Sequence, residues 1–585
     1  MRCQMGVEVG YAVRFDEQIS AQTRIKFLTD GMLLKEALQN PLLTQYSVIM
    51  VDEAHERSLS SDILLGLLKK IQKQRPQLRI VISSATIEAE KVVNFFKNES
   101  QDGPMCRIVA LPGRSYPVDI HYLTEPVDDY VSQAVKTAAV IHKDEEPGDI
   151  LIFLTGRDEI QRAMELLLEH ARSILPNAQA LQPLPLYAGL NQADQMYVFS
   201  PAAENTRKVI LSTNVAEASV TIEDIVYVID SGFVKERIYN PVTNIEALTK
   251  VPISQASATQ RAGRAGRTRS GKCYRLYTNV AFQSLPRSTT PEIQCSNLAP
   301  VILQLKALGI DNVAQFPYLT PPSANMMARG LEILNVLEAL DDYAKLTKPL
   351  GARMAEIALP PMMAKALLQS ADPSFACTSE MLTIAAMCSL QSAGSANIWF
   401  DHDDRRSATD LARRKIAAQE GDHLSYLNAY TAYVTKGKRD QRWCQQHFLN
   451  HNAMSRAVAI RAQLKRSLNG FGISFEDNTF DATYQPPADI STRILKCLTS
   501  GYFMNVARMN PSDGTFRTLT SQSKRDSVVM YAHPTSLMFN RKADYVIFHE
   551  LLETGDKIYI KDISKVERSW ILEAGSKFYK VQAGR

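Results

Sequence analysis

Asp52-Glu53-Ala54-His55 packs the most chemistry into the fewest residues of this chain. It directly follows Ser47-Val48-Ile49-Met50-Val51, an apolar, β-branched run that predicts a buried strand. Ligands of open parallel sheets bind beyond the carboxyl ends of the strands, which is where these side chains would stand. A carboxylate there can hold Mg²⁺, directly or through water, and its neighbour can polarise an attacking water. Four residues alone fit a solvated acidic turn equally well. Ser84-Ala85-Thr86 and Ser212-Thr213-Asn214, the latter running on to Thr221, close two further predicted strands. Gln260-Arg261-Ala262-Gly263-Arg264-Ala265-Gly266-Arg267 follows. Arg264 and Arg267 are three apart, so a helical turn would set both on one face, with small residues between them to allow close approach. Paired guanidiniums are what a triphosphate transition state needs. The other reading of this segment is a Gly/Arg loop that binds nucleic acid.

The elements that must position these residues are legible as texture. Ile150-Leu151-Ile152-Phe153-Leu154, Val209-Ile210-Leu211 and Ile225-Val226-Tyr227-Val228-Ile229 resemble the first apolar run, as does Arg79-Ile80-Val81-Ile82-Ser83. Short continuous apolar strands between helical stretches predict a parallel sheet covered on both faces, hence α/β architecture. The punctuated segment Leu111-Pro112-Gly113-Arg114-Ser115-Tyr116-Pro117 reads as a linker between two such units. After about residue 290 helical spacing dominates, as in Leu298, Val301, Ile302, Leu305 and Leu308 with Gly309 as a stop. Helical patterns also cover 380–390 and 424–433. Beyond about 490 alternation takes over, with strands expected at 544–549 and 557–561 and a small β-barrel at the C-terminus.

Composition narrows the classes. The 585 residues are 45% hydrophobic and 22% charged, which excludes a disordered or fibrous chain. Lys plus Arg number 66 against 62 acids, a net charge of +4, too small to imply nucleic acid from bulk charge. The eight cysteines form no C-x-x-C pair, so a reducing compartment and idle or buried thiols are expected. No apolar run is long enough for a transmembrane helix, and the N-terminus has no secretory h-region, so no membrane partner is expected.

Taken in order, these segments resemble the DEAH-box RNA helicases of superfamily 2. The matches are Thr29-Asp30-Gly31-Met32-Leu33-Leu34-Lys35-Glu36, Asp52-Glu53-Ala54-His55, Ser84-Ala85-Thr86, Phe153-Leu154-Thr155-Gly156, 212–221 and 260–267. The likeness runs from about residue 6 to the C-terminus and is nearest to a spliceosome-associated member. It implies two tandem RecA-like lobes, then a winged helix, a helical ratchet and an OB-like barrel. The implied boundaries are 1–115, 116–289, 290–357, 358–480 and 481–585. It implies ATP and Mg²⁺ as cofactors, with Asp52 and Glu53 at the metal and Glu53 as general base. His55 would couple the nucleotide site to Ser84, Ala85 and Thr86. Ser219, Gln260, Arg264 and Arg267 would join the nucleotide set, with Arg264 or Arg267 as arginine finger. Phe199 matches a base-stacking position, although a core Phe is an equal reading. Thr29, Asp30, Gly31, Thr155, Gly156 and Thr213 match positions along a single-stranded RNA path. Spliceosomal proteins, a glycine-rich-patch activator and a nuclear location are implied as well. Arg508, Arg517, Arg541 and Lys542 read as solvated surface before RNA contacts, and Gly421-Asp422-His423 resembles a recurrent element of the family's ratchet domain, its His read as structural before catalytic.

One expected pattern is missing. No G-x-x-x-x-G-K-[ST] loop occurs in the 585 residues. Gly266-Arg267-Thr268-Arg269-Ser270-Gly271-Lys272-Cys273 comes nearest but ends in Cys and leads into strand-like alternation rather than the helix such a loop needs. Two expectations follow: an ATP-driven RNA helicase whose first lobe is incomplete in this chain, with apolar surface uncovered, or an RNA- and partner-binding remnant without ATP turnover.

Overall fold

A computed structural model describes residues 3–14, 16–85, 89–97, 106–111, 116–172, 179–190, 192–217, 222–392, 398–399, 406–479, 483, 485–519, 528–539, 541–554 and 557–579. The expected linker at 111–117 falls mostly outside them, at 112–115. The chain divides into two compact units. One joins Met1–Cys106 with Ile238–Ala247 and Pro291–Arg585; the other joins Arg107–Arg237 with Leu248–Thr290.

The second of these is built on a six-stranded sheet. Its strand order is Val118–Tyr122, Gly271–Arg275, Ile225–Asp230, Asp149–Phe153, Thr206–Ser212 and Ala180–Leu186. Every adjacent pair is parallel. Asp149–Phe153 and Ile225–Asp230 are buried at every residue, as the continuous apolar runs require. Alternate residues feed two cores. Ile150, Ile152, Val209 and Leu211 pack with the helices Tyr130–Asp144 and Arg157–Arg172. Leu151, Phe153, Ile210 and Val228 pack with Ala262 and Ala265 on the opposite face. Each such burial stabilises by about 1.5–3 kcal/mol, so the strand ends are held on a stiff platform.

The other unit departs from the expected two-sided sheet. Val48–Val51 and Arg79–Ile82 pair in parallel, Val48 opposite Arg79 and Val51 opposite Ile82. Ile49 and Val51 join the core formed with Leu64, Leu65 and Leu68 of the helix Leu59–Gln74. Val48, Met50 and Val81, pointing the other way, are 51%, 60% and 46% exposed. One face of this strand pair is therefore bare, and its apolar run is only half used. The same core continues through Ile302, Leu305, Leu367, Ile384 and Leu464 to Ile571, so the helical region after residue 290 and the acidic segment share one interior.

The C-terminal expectation of a barrel holds. Val506–Met509, Phe516–Thr518, Val529–Ala532, Tyr545–Thr554 and Lys557–Val566 form the closed order fourth-first-second-third-fifth, with the fourth and fifth also paired. Ala507, Phe516, Met530, Val546 and Ile560 fill its interior. The last two strands are ten residues each, longer than the sequence suggested. Their extension carries opposed charges such as Glu550 and Lys561, which hide the strand from an apolar pattern but pair favourably across it. Among the described residues no helix is long and apolar enough to cross a membrane.

Candidate nucleotide and RNA residues

In the first unit the strand Val48–Val51 ends at Asp52, and the chain turns at once. Glu53 adopts φ +49° and Arg57 φ +50°, both left-handed, on either side of the short 3₁₀ turn Ala54–Glu56. Two non-glycine residues in that region cost of order 1–3 kcal/mol each, so the surroundings must fix the turn. They do so by three routes. The Ala54 amide donates to the Ser83 carbonyl at 3.0 Å, tying the turn to the end of the neighbouring strand. Ala54 itself is buried. Arg57, also buried, donates to both oxygens of Asp62 at 2.7 and 2.9 Å and to the Thr320 hydroxyl at 2.7 Å.

The result leaves the Asp52 and Glu53 carboxylates exposed and turns His55 inward. The Ala85 amide donates to His55 Nδ1 at 3.2 Å, and the Glu53 carboxylate lies 3.4 Å from the same nitrogen. Asp52 Oδ1 accepts from the Glu53 amide at 3.0 Å. Asp52, Glu53, His55, Ser84 and Ala85 are thus gathered at the carboxyl ends of two adjacent parallel strands. Thr86 lies outside the described residues. Exposed carboxylate oxygens are the hard donors Mg²⁺ takes, so the residues present fit that ion. In the same unit Thr29 precedes the helix Asp30–Gln39, where Asp30 accepts from the Ser61 hydroxyl and Gly31 follows.

In the second unit Ser254 caps the helix Gln255–Ala262, accepting from the Ser257 amide at 3.0 Å. Gln260 is in its last turn. The helix ends before the arginine pair: the Gly263 amide bonds Thr259, then the Arg264 amide bonds the Arg261 carbonyl in a tighter turn. Arg264 and Arg267 therefore sit on successive turns, not on one helical face as their spacing suggested. Arg264 is half-buried and donates to the Glu217 carbonyl, while Arg267 is exposed. Gly266 explains the tight exit. A Cβ there would come within 2.6 Å of the Tyr116 carbonyl oxygen, so no side chain fits.

The residue that anchors this segment was not singled out in the sequence. Arg261 is completely buried, donating to Glu217 at 2.9 Å and to Asp230 at 2.8 Å, with its guanidinium 4.8 Å from the Phe153 ring centre. Burial alone would lower its pKa, but the Asp230 and Glu217 carboxylates outweigh that and raise it. Tyr277 completes the network, donating to Asp230 at 2.8 Å. Asp230 was readable, as an acid closing the apolar run Ile225–Ile229. Its partner was not, because buried and exposed arginines look alike in a Gly/Arg-rich stretch.

The remaining sequence-derived residues fall as follows. Thr213 ends the strand Thr206–Ser212, its amide bonded to the Leu186 carbonyl. Thr155 is buried after Asp149–Phe153, with its amide bonded to Glu159 at 3.0 Å, and Gly156 leads into the helix Arg157–Arg172. Phe199, at the end of the helix Gln192–Phe199, is 43% exposed while Val198 is fully buried. The core position there belongs to Val198. Ser219 lies outside the described residues. Arg541 donates to the Ala418 carbonyl and so is a structural contact rather than free surface.

Three domain families match the chain: the helicase conserved C-terminal domain over residues 132–269, the ratchet-like helicase associated domain over 360–426, and an oligonucleotide/oligosaccharide-binding fold over 494–579. Among curated proteins, "Probable ATP-dependent RNA helicase DHX35" of Homo sapiens is 48% identical over 583 residues, 98% of this chain and 80% of the relative. Its Caenorhabditis elegans homologue is 43% identical over 584 residues, 99% of this chain and 76% of that protein. "Pre-mRNA-splicing factor ATP-dependent RNA helicase prp22" of Schizosaccharomyces pombe is 41% identical over 584 residues, 99% of this chain and 47% of that protein.

Proposed function

This chain belongs to the DEAH-box family of ATP-dependent RNA helicases, and on that premise we propose that it couples ATP hydrolysis to the remodelling of RNA or ribonucleoprotein in pre-mRNA splicing. The observation that carries the reading is the acidic turn. It presents two carboxylates at the strand ends, and His55, 3.4 Å from the Glu53 carboxylate, accepts a hydrogen bond from the Ala85 amide, an arrangement that suits coupling between the two strand ends.

When bound, Mg²⁺–ATP supplies a phosphoanhydride with an electrophilic terminal phosphorus. Asp52 would hold the ion through its exposed oxygens. Glu53 orients the attacking water and takes its proton at a carboxylate oxygen. Gln260, Arg264 and Arg267, with Ser219, recognise the phosphates, and Arg264 or Arg267 stabilises charge as the terminal phosphoryl group transfers. The exposure of Phe199 suits stacking on a base. Thr29, Asp30, Gly31, Thr155, Gly156 and Thr213 contact the backbone of single-stranded RNA, and such contacts are largely blind to sequence. The five-part division at 115, 289, 357 and 480 remains our assignment of these roles to domains. The splicing name of the fission-yeast relative supports a nuclear site of action and spliceosomal partners; a glycine-rich-patch activator rests on the family resemblance alone.

RNA-stimulated ATP hydrolysis tests the reading. We expect turnover that rises with RNA and is abolished by Glu53→Gln. RNA binding with no hydrolysis would instead favour an RNA- and partner-binding protein without turnover.

A further inference from the structure

Gly421-Asp422-His423 is absorbed by none of the roles above, yet it lies at the most polar part of the first unit's interior. Gly421 has φ +133°, and a Cβ there would come within 2.3 Å of the Ile563 carbonyl oxygen. Only glycine lets this corner meet the barrel strand Lys557–Val566. Asp422 is consumed locally, accepting from the Leu537 and Ile563 amides at 2.8 Å each and from the Ser536 hydroxyl at 2.6 Å. His423 is different. It is 1% exposed, its Nδ1 is 2.9 Å from the Ser564 hydroxyl, and its Nε2 is buried without a hydrogen-bond partner.

Two other soft or borderline donors converge on it. Cys388, 1% exposed, comes from the helix Thr378–Ser392, and His549 from the barrel strand Tyr545–Thr554. One ligand atom from each of Cys388, His423 and His549 lies within 4.8 Å of the others. The Tyr502 hydroxyl is 2.8 Å from His549 Nδ1. Both imidazoles are therefore oriented through Nδ1 by a hydroxyl, the outer-shell arrangement that fixes the tautomer of metal-bound histidines and directs Nε2 at the ion.

We propose that Cys388, His423 and His549 form a zinc site that pins the helical region of the first unit to its C-terminal barrel. Zinc takes thiolate at about 2.3 Å and imidazole at about 2.0–2.1 Å, which sets tetrahedral donor atoms about 3.3–3.6 Å apart. The donor atoms must close from 4.8 Å to that spacing. Binding displaces the Cys388 thiol proton to solvent, leaving a thiolate on the metal, and water completes the fourth position. The three ligands come from a helix, a glycine corner and a strand, so the ion is a cross-link among elements otherwise joined by hydrogen bonds and apolar packing. The competing account is a hydrogen-bonded thiol–imidazole cluster with no metal.

The test uses the full chain, purified without metal-affinity chromatography. Elemental analysis should find one zinc per chain. Co²⁺ replacing it should show the visible bands of tetrahedral cobalt together with a thiolate-to-cobalt charge-transfer band. Cys388→Ser should abolish the charge-transfer band, His423→Ala and His549→Ala should reduce zinc to background, and Cys3→Ser should change neither. Zinc at background in the wild-type chain, or bound cobalt without the thiolate band, overturns the proposal even if no variant folds. So would full zinc content in folded His549→Ala.

Discussion

The acidic turn at 52–57 and the arginine segment at 260–267 both lean on a buried arginine but differ in what else holds them. The first adds main chain: two left-handed residues and an amide–carbonyl tie to the next strand, with Arg57 locked on Asp62 and the Asp52 and Glu53 carboxylates left exposed. The second is fixed by side chains: a buried guanidinium between two carboxylates, with the flanking polar residues hung from it. A carboxylate that must reach a hydrated cation is best presented from a rigid backbone at a strand end, where water still reaches it. A guanidinium that must reach phosphate on a long flexible stem gains from an immobile neighbour, because less side-chain entropy remains to be lost. In both regions the residue that fixes the backbone is buried, while of those proposed to do chemistry Asp52, Glu53 and Arg267 are exposed and Arg264 is half-buried.

The sharpest way to break this contrast is at the residues proposed to do chemistry, measured as RNA-stimulated ATP hydrolysis. Arg264→Ala should lower the rate by about 10³–10⁵, as loss of an arginine finger does. If Arg264→Ala leaves the rate intact and Arg267→Ala carries the loss, the finger is Arg267 and the Glu217 contact only positions the turn. Glu53→Gln should follow with a loss of about 10²–10⁴, the worth of a general base.

The positioning residues should then differ from each other. Arg261→Met leaves Glu217 and Asp230 partly or fully buried without their cation, a loss of about 3–5 kcal/mol. Hydrogen exchange at the amides of Ile225–Asp230 should rise accordingly, and unchanged protection there would mean that the ion network is not the anchor. His55→Ala removes one hydrogen bond to the Ala85 amide and should cost only about 0.5–1.5 kcal/mol in unfolding. Its larger effect should be on coupling: hydrolysis should persist while RNA stimulation falls. Equal stability losses in Arg261→Met and His55→Ala would erase the contrast.

Much of this was legible in sequence order. The apolar runs at 150–154, 209–211 and 225–229 are strands because a sheet buried on both faces tolerates little else. Asp52, Ser84 and Thr213 were placed at strand ends by the same logic. Uncovered apolar surface in the first lobe was expected, but not that Val48 and Met50 would carry it, since a run of apolar residues looks the same whether one face or both are covered. The long barrel hairpin was hidden by its own charged pairs. The shared face proposed for Arg264 and Arg267 failed because the small residues that suggested close approach also end the helix.

What the sequence by itself determined was the order of chemical residues and the class of platform beneath them, because hydrophobic periodicity and strand-end placement are local properties of the chain. Only the tertiary structure decided which polar groups are interior. Arg261, Arg57 and His423 each acquire a partner from a distant residue, up to 263 positions away, and that burial depends on which distant segments pack together.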